Sequence, residues 1–187
     1  MKSTIRNLSC AVFVILSAVS LSAYGANSGG SIGFVASQSG VSLQGSFSDF
    51  VSSVNFDPAH PEVGSVKVGV DVRSVGTGTP SADELLRSED FFDAKTHPQA
   101  TFDASEFHAL DKGHYVAKGT FTLKGHSASV PVTFTTTSDS KGRWFDGSFA
   151  ITRMTYRVGL GEWSDTSTLD DAVQIKFHIY QEGMPAH

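Results

Sequence analysis

Cysteine is nearly absent from this chain: one in 187 residues, Cys10, at the head of an apolar stretch. Proline is sparse at 6, and no cluster of lysine or arginine occurs anywhere. Long apolar runs are missing too, apart from Cys10 to Ala23, which only serines interrupt. That run follows Lys2 and Arg6 and ends at the small residues Ala23 and Gly25, the pattern of a secretory signal over residues 1–25. It is too short for a comfortable membrane span. Its removal would leave residues 26–187 as one domain and take away the only thiol. A disulfide, a thiolate metal site and a cysteine nucleophile are thereby excluded from the exported chain. Losing two cations and no acid moves the formal net charge from −5 by two, to −7. An acidic surface without a basic run argues against nucleic acid and anionic lipid headgroups.

What is abundant points to β structure. Gly (18) and Phe (14) are both high. The dominant pattern has period two: Val66, Val68, Val70 and Val72 alternate with Ser65, Lys67, Gly69, Asp71 and Arg73. The same alternation recurs in Val41–Phe47, Val130–Phe134, Phe145–Ile151 and Val173–Ile179. Turn clusters separate the runs at 37–40, 57–64, 111–113, 138–142 and 159–168. Roughly eight strands with one polar face predict an antiparallel sheet. One segment departs from it: Ser81-Ala82-Asp83-Glu84 reads as a capping box, with Ser81 as N-cap of a short helix covering an end of the sheet.

The inner face mixes large side chains with Gly45, Ala104, Ala117, Gly119 and Gly147. Small residues between rings would suit a narrow tunnel, whereas a packed core wants them filled. Glycines at bulges or corners explain the pattern equally well.

Catalytic motifs are weak. Gly29-Gly30-Ser31-Ile32-Gly33 fits G-x-S-x-G but has no helix after it. Gly76-x-Gly78 and Gly159-x-Gly161 lack a third glycine and a βαβ setting. The seven histidines (His60, His97, His108, His114, His126, His178 and His187) form no local metal-binding pair.

Several segments together resemble the YceI-like family: Ser74–Gly78, Leu85–Ala94, Pro98–Ser105, Lys118–His126, Val130-Pro131-Val132, Ile151–Gly159 and the early turn Asp57-Pro58. The resemblance runs from about Ser31 to about Gln181. It implies an extended, all-β, lipocalin-like barrel of eight antiparallel strands, in a family whose members bind long isoprenoid or quinone-type lipids and are often periplasmic. This chain departs from the family pattern at Met154-Thr155-Tyr156-Arg157, which adds a second arginine.

A strand of ten residues spans roughly 33 Å, enough to shield much of a polyprenyl tail. Each buried CH₂ contributes about 0.8 kcal/mol, so a dry lining alone provides affinity. The candidate lining is Phe47, Val68, Val70, Phe102, Phe121, Leu123, Val132, Phe134, Phe149, Ile151, Ile175 and Phe177, with Leu85, Phe91 and Phe92 capping the helical end and Tyr156 at the mouth. Arg153 and Arg157 would either meet a phosphate or quinone oxygen or, the preferred reading, pair with Asp165, Asp170 or Asp171 to close the barrel end. The expectation is a periplasmic, non-catalytic carrier or buffer of an isoprenoid or quinone-type lipid, with no covalent cofactor, metal or nucleic acid. A packed barrel partnering a membrane cytochrome, a lipid-acting hydrolase and a homodimer remain open.

Overall fold

The computed structural model describes residues 29–183 except 112. The signal expected over 1–25 lies outside the described residues, as does His187. The chain folds as β1 (Gly29–Gln38), β2 (Val41–Phe47), β3 (Phe50–Asn55), β4 (Ser65–Asp71), β5 (Val75–Gly76), α1 (Pro80–Arg87), β6 (Gln99–Asp111), β7 (His114–Leu123), β8 (His126–Ser138), β9 (Gly142–Thr152) and β10 (Ala172–Glu182). All strands belong to one curled antiparallel sheet, in the order β3-β4-β6-β7-β8-β9-β10-β1-β2-β5.

Ten segments replace the eight strands expected, and the surplus has a simple origin. The strands at the two ends of the sheet, β3 and β5, are continuations of β2 and β4 past a bend. Only Ser48 and Asp49 separate β2 from β3, and one turn of 3₁₀ helix, Val72–Ser74, separates β4 from β5. The ladder is maintained through the bend: Ser48 N–H donates to Ser74 O (3.3 Å) and Asp71 N–H to Asp49 O (3.0 Å). Two bent strands thus pair along their length and curl the sheet into a barrel wall. Below the bend the wall has a seam. Among the described residues no ladder joins β3 to β10, and Val54 N–H donates instead to Gln181 Oε1 at 3.3 Å.

The short helix forms where expected, but not by a capping box. Pro80 occupies the first helical position, where its fixed φ fits and its missing N–H is no loss, so the N-cap is Thr79 and not Ser81. Thr79 makes no side-chain cap; its carbonyl accepts from Asp83 N–H (3.0 Å). The Asp83 carboxylate ties the helix to the preceding strand, accepting from Thr77 N–H (2.7 Å) and Thr77 Oγ1 (2.6 Å). Consecutive residues on a helix point about 100° apart. Leu86 therefore packs on the core while Leu85 is left 36% exposed. The proposed capping role of Leu85 is corrected accordingly. The G-x-S-x-G segment runs straight through β1, with no strand-to-helix turn.

Candidate functional site

Alternation along the strands sends one set of side chains inward, and the cross-strand register decides which of them meet. Val68 lies opposite Phe102, and Phe102 opposite Phe121. Across the barrel, Ile175 faces Phe149, while Phe134 and Phe177 flank Gly147. These rows enclose a cavity of about 100 Å³ in which every lining residue but Thr101 is apolar. Nine of the sixteen residues named from sequence line it: Val68, Val70, Phe102, Phe121, Val132, Phe134, Phe149, Ile175 and Phe177. Ile32, Val54, Val66, Ala100, Phe107, Ala117, Phe145 and Ile179 complete the apolar lining. Val66, Phe145 and Ile179 already stood on the inward phase of the alternating runs, so the signal that places them was present in the sequence.

Six other named residues lie away from this cavity, in the packing that closes one end. Phe92 meets Phe34 edge-on (6.4 Å between centroids) and Phe47 at a tilt (6.0 Å). Phe91 packs against Trp163 (5.7 Å), and Tyr156, 1% exposed, stands T-shaped on Phe121 (5.2 Å). Burial alone pushes the Tyr156 phenol above its ordinary range. Leu123 and Ile151 are buried in the same cluster. Tyr156 therefore belongs to a plug and not to an open mouth.

Arg153 fastens this end, and its partners differ from those expected. It is 2% exposed and donates to four backbone carbonyls: Nε to Asp170 O (3.1 Å), Nη1 to Val158 O and Gly159 O (both 2.9 Å) and Nη2 to Leu169 O (2.7 Å). No aspartate side chain receives it. Asp171 accepts instead from Met154 N–H (2.9 Å) and its charge favours the nearby guanidinium, against the desolvation that dominates and lowers its pKa. Arg157 is exposed, in the left-handed region (φ 55°), and its carbonyl accepts from Lys124 Nζ (2.9 Å). Desolvation lowers the Lys124 ammonium in turn. Neither arginine extends to the cavity lining.

The opposite end is built from a second aromatic cluster. Phe56 sits between Tyr115 (4.9 Å), Phe134 (5.2 Å) and Phe107 (5.6 Å), with Phe145 at 6.0 Å. One inward step further along β9 and β10, past Phe145 and Ile179, come Arg143 and Gln181, which are partners in register. Arg143 is 7% exposed and donates from Nη1 to Thr136 Oγ1 at 3.3 Å, while its Nε–H has no partner.

The glycines of the inner face act as seats for rings. A Cβ at Gly147 would lie 2.5 Å from Phe177 Cζ, and one at Gly119 2.6 Å from Phe102 Cζ; at Gly45 it would collide with the Phe34 ring. The three glycines expected to help hollow a tunnel are thus covered by neighbouring phenylalanines, whereas Ala117 lines the cavity. Among the described residues, no group of three or more His, Cys, Asp or Glu converges as a metal site would require.

An antiparallel β-barrel with an aromatic plug at one end and an apolar interior defines a lipocalin-like class of protein. The chain matches the YceI-like domain model over residues 26–180, and it belongs to that family. A UPF0312 protein of Yersinia enterocolitica is 31% identical over 145 residues, covering 77% of this chain and 74% of that protein. A UPF0312 protein of Azotobacter vinelandii is 32% identical over 102 residues, a match spanning only 53% of that relative. Among solved structures, Burkholderia cenocepacia BcnA superposes with a TM-score of 0.79 at 38% identity, covering 81% of this chain and 96% of BcnA. A polyisoprenoid binding domain from Saccharophagus degradans, implicated in plant cell wall breakdown, shares the fold at a TM-score of 0.65 and 16% identity, over 83% of this chain and 95% of that domain.

Proposed function

We propose that this protein takes the hydrocarbon tail of an isoprenoid-type amphiphile into its barrel and carries or buffers it, without catalysis, in the periplasm. The observation that carries this reading is the cavity whose lining is apolar at every position but one. Such a lining binds by removing hydrocarbon from water and needs no reactive group. The polyisoprenoid-binding description of the Saccharophagus domain supports the same ligand class. The signal pattern of residues 1–25 supports export, and quinone-type lipids belong to the class of tails considered.

The size of the cavity adds a requirement. About 100 Å³ is less than the ~150 Å³ void that holds one benzene. A long tail is therefore accommodated by rings turning aside. Phe102 and Phe177, each only partly buried and seated over a glycine, are the rings that move. Native mass spectrometry of the protein drawn from its own periplasm, followed by organic extraction, tests the reading. The expected result is a stoichiometric lipid-sized adduct with an isoprenoid tail. A clean apo mass that takes up no added polyprenyl lipid would overturn it.

A further inference from the structure

The lipid reading leaves open which part of the ligand faces which end of the barrel, and Arg143 bears on that. Cations are rarely this deeply buried unless they are paired. Arg143 is 7% exposed, yet among the described residues it makes only one long hydrogen bond, to a neutral hydroxyl, and its Nε–H is orphaned. No ion pair reaches it among the described residues, and the nearby carboxylates are engaged elsewhere or exposed. Asp139 accepts from Lys141 N–H, Gly142 N–H and the Tyr180 hydroxyl. Asp146 pairs with His178, and Glu182 is exposed.

The position of Arg143 matters as much as its state. Phe145 and Ile179 line the cavity, and Arg143 and Gln181 are the next inward pair on the same two strands. Thr136 on β8 and Gln181 on β10 extend the polar row to either side. At its far edge Gln181 bridges the seam to Val54, itself a lining residue. A polar row with one unsatisfied cation thus borders an apolar cavity at the end opposite the aromatic plug.

We propose that Arg143 receives the anionic oxygen head of the amphiphile, a phosphate-type group, while the tail runs along Phe145 and Ile179 toward Phe149. This rests on the tail-binding reading and refines it. A guanidinium offers its Nε–H and an Nη–H side by side, the geometry that takes two oxygens of an oxyanion. The ligand would supply the partner that the protein does not, and Thr136 and Gln181 would hydrogen-bond the remaining oxygens.

Calorimetric titration with two probes of equal tail, farnesyl phosphate and farnesol, tests the assignment, with inorganic phosphate as a third. The wild-type protein is expected to prefer the phosphate at least tenfold over the alcohol. Arg143→Met should bring that ratio close to one. Arg143→Lys, which keeps the charge but not the fork, should fall between, and outward-facing Lys118→Gln should match wild type. An unchanged ratio in Arg143→Met, or no preference in wild type while farnesol binds, would overturn the head assignment and leave the tail reading standing. Failure of both farnesyl probes to bind would bring down the tail reading and this inference together. Inorganic phosphate binding as tightly as farnesyl phosphate would make the occupant a free anion and overturn it as well.

Discussion

Two buried arginines stand at the two ends of β9, and their circumstances are opposite. Arg153, just past its end, gives hydrogen bonds to four main-chain carbonyls from the 158–159 and 169–170 segments. Arg143, at its beginning, gives one long bond to a threonine and keeps an orphaned Nε–H. Burial alone does not distinguish them, at 2% and 7% exposure. Satisfaction does. A buried donor set that is mostly used holds the fold together, whereas one left mostly unused has cost desolvation with little return from the protein itself. The plugged end is thus a structural closure, whereas the seam end carries a guanidinium whose Nε–H the protein leaves unused.

The sharpest way to break this contrast is to remove each guanidinium in turn. Arg153→Met strips several buried carbonyls of their donor and loosens the 3₁₀ turn and the loop it binds. A loss of about 3–5 kcal/mol is expected, the range for breaking a buried polar network. Arg143→Met replaces an unsatisfied cation by an apolar side chain of similar length, and its stability should stay within about 1 kcal/mol of wild type or rise. Urea unfolding midpoints for the two variants read the difference directly. Equal losses would mean that Arg143 is as structural as Arg153.

A smaller effect is expected in the wall between the two ends. Gly147 lies between Phe134 and Phe177, and a Cβ there would approach not only the Phe177 ring but also Thr133 O at 2.5 Å. A ring can swing away, but a ladder carbonyl cannot. Gly147→Ala should therefore destabilise by about 1–3 kcal/mol, the usual cost of overpacking. Gly45→Ala should cost less, because the three atoms nearest its Cβ belong to the side chains of Phe34 and Thr77. Thermal unfolding of both variants checks the order. A reversal would mean that the sheet yields more readily than the rings.

The extent to which the sequence foretold this picture follows from what each signal encodes. Period-two alternation reports which side chains face inward, so the strands and most of the lining were legible from Val66–Val72, Val130–Phe134, Phe145–Ile151 and Val173–Ile179. It does not report where a strand bends, and Ser48-Asp49 and Val72–Ser74 gave no cue that β2 and β4 continue as β3 and β5. Nor does it report position along the barrel axis. Leu123 and Ile151 have the inward phase of a lining but sit in the plug. The glycines were visible, but their meaning was not: register decides that Phe177 and Phe102 cover them. Arg153 was expected to pair with Asp165, Asp170 or Asp171, yet its partners are carbonyls, which no side-chain pattern announces. Arg143 was missed. It continues the inward phase of Phe145, Gly147 and Phe149 by one more step, and a cation in that phase was the available signal.

The gentlest test of the plugged end uses acid. Asp83 accepts two hydrogen bonds from Thr77, which, with Arg87 one turn on, hold its carboxyl below the usual value of 3.8. Its ionised form is thus the one the folded state favours. The stabilisation is complete above the ordinary carboxylate pKa and is lost as pH falls through the lower folded value. An asparagine accepts only with one neutral oxygen, so Asp83→Asn should lower the Tm modestly at neutral pH. The gap from wild type should close as pH drops below about 4. Asp71, held down mainly by Arg73, and Asp139 and Asp165, held down by hydrogen bonds, would go on contributing acid sensitivity of the same sign in both proteins. Thermal melts of wild type and variant between pH 7 and about pH 2.5 read the closure. A gap independent of pH would show that Asp83 holds α1 by shape rather than by charge, and would separate the anchoring of the helix from the electrostatics that distinguish the two arginines.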